Sequence, residues 1–308
     1  MLPLYQIALL LCVFAPAAVV HVQAEGQLIT RTQVLDSALS YEVDCLTPAY
    51  EGMCLPQECS RHVMDNIFSE EDVKKLLSIV EKGMKKREAK GGPTILDINT
   101  GFIRDSAGVR NLFSSGKGGI FDEGDFEHYG KVILKLKETV MDFMNLSELF
   151  FTAPTFITRL DGRDPDWEPA EIHDEYWHVH ADRNNTEHYH YSGLLYLNEY
   201  EKDFEGGKLH FYDPKSFNED THTASEDGIQ QTIEPRPGRV VVFTSGHENP
   251  HKVERVESGT RFVLAFWFTC TKEKEFEIFL DGEAHLTFSK RIAAQVEKQQ
   301  QKQKLKEL

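Results

Sequence analysis

The sequence predicts an α+β fold in which two helices pack on one sheet of an all-β sandwich or barrel. Three observations carry that prediction. Two apolar stripes at helical spacing occupy residues 69–145. From residue 151 the chain breaks into short runs rich in Val, Ile, Phe and Tyr. Gly, Pro and Asp separate those runs, as turns require. A chain of 308 residues can bury a substantial core, and 40% hydrophobic with 27% charged residues is the composition of a globular protein.

The first 24 residues, MLPLYQIALLLCVFAPAAVVHVQA, carry no charged side chain. An apolar run ending in Val22-Gln23-Ala24 before Glu25 has the form of a signal peptide with a small-residue cleavage site. Uncleaved, it would be a signal anchor of a single-pass type II membrane protein, since about 20 apolar residues cross a bilayer. Either way the remainder enters the secretory pathway, with the endoplasmic reticulum lumen as the expected compartment. The closing Leu-Lys-Glu-Leu only loosely matches a retrieval signal, Lys306 standing where an acid belongs.

Residues 25–60 form a polar, cysteine-bearing segment. Beyond Cys12 in the leader, the chain has Cys45, Cys54, Cys59 and Cys270, an even set that in an oxidising compartment makes two disulfides by one of three pairings. A helical support region follows over 61–150. Ser69-Glu70-Glu71-Asp72 has the form of a capping box, and Val73, Leu76, Leu77, Val80 and Met84 recur at helical spacing before Gly91-Gly92-Pro93. A second helix is expected around 124–145, with Phe126, Tyr129, Ile133, Leu136, Val140 and Met144 on its stripe. The β-rich domain spans 151–275, in the runs PTFITRL, SGLLYLNEY, GGKLHFYD, QQTIEP, GRVVVFTSG and TRFVLAFWFTC. Residues 276–308 form a Gln/Lys-rich helical tail. Asn145 and Asn184 head glycosylation triplets. The net charge of −16 repels phosphate backbones, so a nucleic-acid partner is not expected.

The stretch WHVHADR places His178, His180 and Asp182 at alternate positions, which share one face of an extended chain. His180 and Asp182 offer one imidazole and one carboxylate. Two histidines and a carboxylate leave three positions open on Fe(II), enough for a bidentate cosubstrate and oxygen. His251, heading HKVERV, supplies the second histidine. Arg261 follows in SGTRFVLAFWF, with Gly259 as the turn of an expected hairpin. Arg261 shares parity with Val263, Ala265 and Trp267, an apolar face suited to a barrel interior. An arginine on such a face is costly unless a carboxylate pairs with it, and a dicarboxylate held bidentately would answer that need. The competing arrangement is a zinc site of His178, His180 and His251, which strands Asp182. His173 and Asp174 are expected to line the mouth or support the core, and His188 and His190 to lie on the rim.

Taken in order, HDEYWHVHAD, SGLLYLNEY, DFEGGKLHFYD, IEPRPGRVVVFTSG and NPHKVERVESGTRFVLAFWF resemble the catalytic domain of iron(II)- and 2-oxoglutarate-dependent oxygenases of the prolyl 4-hydroxylase superfamily. The resemblance implies a double-stranded β-helix (jelly-roll) core, Fe(2+), 2-oxoglutarate as cosubstrate and L-ascorbate to keep the iron reduced. It matches His180, Asp182 and His251 to the iron ligands. It likewise matches Arg261 to the residue binding the far carboxylate of 2-oxoglutarate, and Tyr196 to the tyrosine assisting it. In this class 2-oxoglutarate and oxygen give succinate and CO2 while a C–H bond is hydroxylated. A protein or peptide side chain is the implied substrate, proline first. Two other classes compete: a catalytically silent β-helix binding module, and a zinc-bearing structural domain.

Overall fold

The computed structural model describes residues 19–21, 26–46, 54, 58–85, 87, 92–113, 120–152, 155–162, 167, 169 and 176–276. The leader, apart from residues 19–21, and the C-terminal helical tail beyond residue 276 lie outside the described residues. In chain order the strands and helices are β1 (Val19–His21), β2 (Gln27–Ile29), β3 (Ala38–Val43), β4 (Cys59–Met64), α1 (Glu70–Met84), β5 (Thr94–Leu96), β6 (Phe102–Asp105), β7 (Gly108–Asn111), α2 (Glu123–Phe143), β8 (Phe150–Phe151) and β9 (Phe156–Asp161). There follow α3 (Asp182–Asn185), β10 (Tyr191–Tyr196), β11 (Phe204–Gly206), β12 (Leu209–Tyr212), β13 (Phe217–Asn218), β14 (Thr223–Ala224), β15 (Ile229–Ile233), β16 (Val240–Thr244), β17 (His251–Val253) and β18 (Val256–Thr269).

Both long helices start where the sequence provides a cap. The Ser69 hydroxyl accepts from the Asp72 N–H while the Asp72 carboxylate accepts from the Ser69 N–H, and Asp122 and Asp125 repeat the exchange at α2. Their apolar stripes cover the outer face of the larger sheet. Leu76, Ile79, Val80, Tyr129, Ile133 and Val140 pack with Leu195, Val240, Val242, Leu264, Phe266 and Phe268.

The larger sheet runs β1-β3-β4-β16-β10-β18-β9-β5-β6-β7, with β8 and β11 also on β18; the smaller runs β17-β12-β15-β2. The cysteine-bearing segment thus contributes strands to both sheets. A second core lies between them, where Tyr41, Val63, Val241, Phe243 and Val263 meet Ile29, Leu209, Phe211 and Ile233. Adjacent strands pair antiparallel except β1 with β3 and β2 with β15. Two facing sheets linked in this way form the double-stranded β-helix.

Strand β18 carries the alternation that the sequence predicts. Phe262, Leu264, Phe266 and Phe268 join the helix-side core while Val263 joins the core between the sheets. The hairpin expected about Gly259 is not formed. His251–Val253 belongs to the smaller sheet, and Val256–Thr269 is one continuous strand of the larger. Gly259 sits inside it at φ +73°, where a Cβ would meet the Asp203 carbonyl oxygen at 2.1 Å. The glycine therefore admits β11, and the chain changes sheet at Glu254-Arg255 instead.

Two disulfides, Cys45–Cys59 and Cys54–Cys270, settle the pairing the sequence leaves open. Among the described residues no helix is long and apolar enough to cross a membrane. Arg239, fully buried, spends its five N–H groups on both oxygens of Asp65 and on the carbonyls of Thr30, Gln33 and Glu234. Arg239→Met takes the counter-ion from the buried Asp65 carboxylate, leaving it the Leu35 N–H, and strips one donor from each of three carbonyls, so it is expected to cost about 3–5 kcal/mol in a urea unfolding titration. Adding Asp65→Asn removes the uncompensated charge and is expected to recover part of that loss.

Candidate metal centre

The WHVHAD stretch is not a strand. His180 makes an isolated antiparallel bridge to His251, and Asp182 opens the single-turn helix α3. The His180 N–H donates to the His251 carbonyl at 3.0 Å, and the His251 N–H returns the bond at 2.8 Å. That pair sets the two rings side by side, with centroids 4.5 Å apart. Asp182 Oδ1 then lies 3.6 Å from His180 Nε2 and 3.9 Å from His251 Nε2. The three side chains bring their ligand atoms within 4.8 Å of one another.

Both rings are held in the tautomer a metal needs. His180 Nδ1 lies 3.1 Å from the His178 carbonyl and His251 Nδ1 2.9 Å from the Asn249 carbonyl. A carbonyl only accepts, so each Nδ1 carries the proton and each Nε2 presents its lone pair inward. Burial, and secondly the neighbouring His180, lowers His251 to about 4, so it is neutral and ready to ligate. Burial works against charge on Asp182, but the His180 hydrogen bond and the two neighbouring histidines outweigh it and hold the carboxyl below its usual range. Burial likewise lowers His180, and the Asp182 carboxylate reverses the sign and raises it.

Arg261 is 1% exposed, on the interior face of β18. Its Nε and Nη2 and the Tyr196 hydroxyl are buried without a hydrogen-bond partner, and Arg261 Cζ stands 5.3 Å from the centre of the Tyr196 ring. Among the described residues no carboxylate pairs with it. Burial lowers the guanidinium, eased by Tyr196 and Tyr176, and burial raises the Tyr196 phenol. A cation so placed is short of an anion. Gly207 comes up against it at φ +72°, where a Cβ would lie 2.8 Å from Arg261 Cδ. A carboxylate with two imidazoles whose Nε2 atoms face it suits Fe(II), and orphaned donors beside a phenol suit a ligand carboxylate. The residues present fit both groups.

The remaining expectations divide. His178 lies outside the cluster, its ring 5.0 Å from His180 and 5.3 Å from His222. His173 and Asp174 lie outside the described residues. His190 is no rim residue: it is 5% exposed, lowered to about 4 chiefly by burial, and its Nδ1 accepts from the Cys270 N–H at 3.1 Å. Asn145 is exposed just after α2 at φ +51°. The Asn184 amide nitrogen, by contrast, is buried within α3. Sequence reasoning passed over Trp267, whose Nε1–H donates to Asp182 Oδ2 at 3.2 Å. Its shared parity with Arg261 was the signal that could have found it.

Residues 169–269 match the model of the 2OG-Fe(II) oxygenase superfamily. The chain belongs to that superfamily, and the likeness to a relative extends well beyond those residues. It is similar to human 2-oxoglutarate and iron-dependent oxygenase domain-containing protein 3, 36% identical over 233 residues that cover 74% of this chain and 67% of that protein. Human prolyl 3-hydroxylase 3 is 39% identical over 92 residues, covering 30% of this chain and 11% of that one. A solved structure, a prolyl hydroxylase in complex with a hypoxia inducible factor oxygen degradation domain peptide fragment from Trichoplax adhaerens, aligns at TM-score 0.44 and 16% identity over 70% of this chain and 85% of that chain.

Gly207→Ala forces a left-handed backbone onto a side chain and crowds Arg261. At a strain of about 1–2 kcal/mol, roughly tenfold weaker 2-oxoglutarate binding is expected in a titration, with metal affinity unchanged.

Proposed function

We propose that this chain is an Fe(II)- and 2-oxoglutarate-dependent dioxygenase that hydroxylates a side chain of a secretory-pathway protein or peptide, proline first. The observation that carries the reading is the His180, Asp182 and His251 cluster standing in the same fold as a buried, anion-starved Arg261. In this reading His180, Asp182 and His251 hold Fe(2+), and Arg261 with Tyr196 receives the far carboxylate of 2-oxoglutarate. Bound together, those groups supply oxidative decarboxylation to succinate and CO2, with one oxygen atom of O2 entering the substrate C–H bond. The protein's part is positional. Carbonyls of His178 and Asn249 fix the imidazoles, and burial of Asp182 and His251 keeps bulk water away from the ligands. Arg261 orients the cosubstrate by a bidentate grip. L-ascorbate is the reductant that maintains the iron.

The compartment and substrate rest on separate support. Two disulfides and a leader-like N-terminus favour the lumen of the secretory pathway, with the endoplasmic reticulum first. Relatives named prolyl 3-hydroxylases make a prolyl side chain the first to test. The β-helix domain over 151–275 is the catalytic part, resting on the helical region 61–150.

Purified protein given Fe(II), 2-oxoglutarate and oxygen is expected to form succinate, and His180→Ala to lower that rate more than about 100-fold. A folded, iron-loaded sample with no turnover would sink the reading. In the secretory pathway a glycan is expected at Asn145, because α2 ends there in the open. Asn145→Gln should abolish the glycosidase-sensitive mass shift, and Asn184→Gln should leave it.

A further inference from the structure

We propose that Trp267 is a positioning residue for the metal-binding carboxylate. Its indole N–H holds the Asp182 oxygen that is turned away from the histidines, leaving one oxygen for the ion. The role rests on the reading that His180, Asp182 and His251 bind the metal.

The two oxygens of Asp182 have different surroundings. Oδ1 faces both histidine Nε2 atoms, at 3.6 and 3.9 Å, and Oδ2 accepts from Trp267 Nε1 at 3.2 Å. An indole nitrogen only donates, so it cannot compete for the ion and can only restrain the carboxylate. Such a restraint matters here because of where Asp182 sits. It opens a helix of four residues whose N-cap, Ala181, offers no side-chain bond. A single uncapped turn does little to fix a carboxylate, and besides Trp267 the Ser192 hydroxyl reaches it. A carboxylate free to turn can present both oxygens to an ion, which would take a position that cosubstrate or oxygen needs.

Trp267, by contrast, is anchored by its strand and by two aromatic rings. It lies in the 14-residue strand β18, in register opposite Ser192 of β10. Tyr189 stacks on its ring at 5.5 Å and 20°, and Phe156 meets it edge-on at 5.6 Å. Arg261 stands six residues earlier on the same strand and the same face. One rigid element thereby sets both the carboxylate ligand, through Trp267, and the cosubstrate's cation. A register slip in β18 would misplace both together.

The test is a Co(II) titration of the full chain, read by the visible d–d band, on the wild type, Trp267→Phe and His251→Ala. Phenylalanine keeps a ring against Tyr189 and Phe156 and deletes only the donor and the second ring. Trp267→Phe is expected to bind Co(II) about 10-fold more weakly, with a shifted band, at an unchanged melting temperature. Wild-type affinity and band in a folded Trp267→Phe would overturn the role alone. If wild type and His251→Ala bind Co(II) alike, the metal-site reading falls and this role falls with it. Should Trp267→Phe unfold, the benzothienyl analogue of tryptophan at position 267 keeps the shape and replaces N–H by sulfur. The same loss there upholds the role, and full affinity refutes it.

Discussion

The site depends on two backbone hydrogen bonds, those exchanged between His180 and His251. Neither residue lies deep inside a sheet. His180 belongs to a segment without a strand of its own, and His251 begins a three-residue strand at the edge of the smaller sheet. A directly bonded antiparallel pair fixes its Cα atoms about 5.5 Å apart with side chains projecting to one side. Two imidazoles therefore arrive side by side, their planes tilted by 51°, and the next but one residue after His180 delivers a carboxylate beside them. The other edge of β17 is held by β12, through which Phe211 packs its ring on His251 at 5.7 Å. The cluster of His180, Asp182 and His251 is thus a consequence of β pairing carried one residue past the sheet's edge.

Three buried arginines show which polar group the fold completes for itself and which it does not. Arg239 meets a carboxylate and three carbonyls, and no donor is left over. Arg61 is 0% exposed and depressed to about 10, chiefly by burial, yet it bonds Asn249, Gln230 and the Glu248 carbonyl and lies over the Phe211 ring. It thereby holds the loop that supplies the His251 tautomer bond through Asn249. Arg261 has two tyrosines beside it and an unmet Nε and Nη2. Desolvating a guanidinium for nothing costs several kcal/mol. Arg239 is fully met, and Arg61, though its Nη1 is unmet, has its Nε and Nη2 bonded within the chain, so both can be read as structure. Arg261 makes physical sense once an anion from outside is counted.

What the sequence revealed was parity and caps. The alternation on β18 separates Phe262, Leu264 and Phe266 from Arg261, Val263 and Trp267, and the structure puts the two sets on opposite faces. Ser69 and Asp72 mark a helix start because the capping exchange is local chemistry. Features set by distant contacts were not legible. Gly259 reads as a turn, and only the approach of Asp203 shows that it opens room inside a strand. His178, His180 and Asp182 look equivalent on an extended chain. The bridge to His251 and the turn into α3 break that equivalence, drawing His180 and Asp182 together and leaving His178 beside His222. Asn184 carries a sequon that sequence alone cannot distinguish from Asn145. Only folding shows that its amide nitrogen points inward.

The covalent frame extends the same logic to β18. Cys270 follows the strand's last residue and is bonded to Cys54, across 216 residues of chain. The Cys270 N–H donates to His190 Nδ1, and His190 in turn bonds Phe268 and Ser245 through its backbone. That acceptor role requires a neutral imidazole, which burial secures by lowering it to about 4. At the other end of the strand, the glycine at 259 lets β11 close against it. Between these two fastenings lie Arg261, with its unmet donors, and Trp267, the donor to Asp182. Catalytic groups held to within about half an ångström need supports that do not breathe, and a strand fixed at both ends is such a support. A disulfide in that position works only in an oxidising compartment, so the rigidity of the site and the lumenal location proposed for the protein are one requirement rather than two.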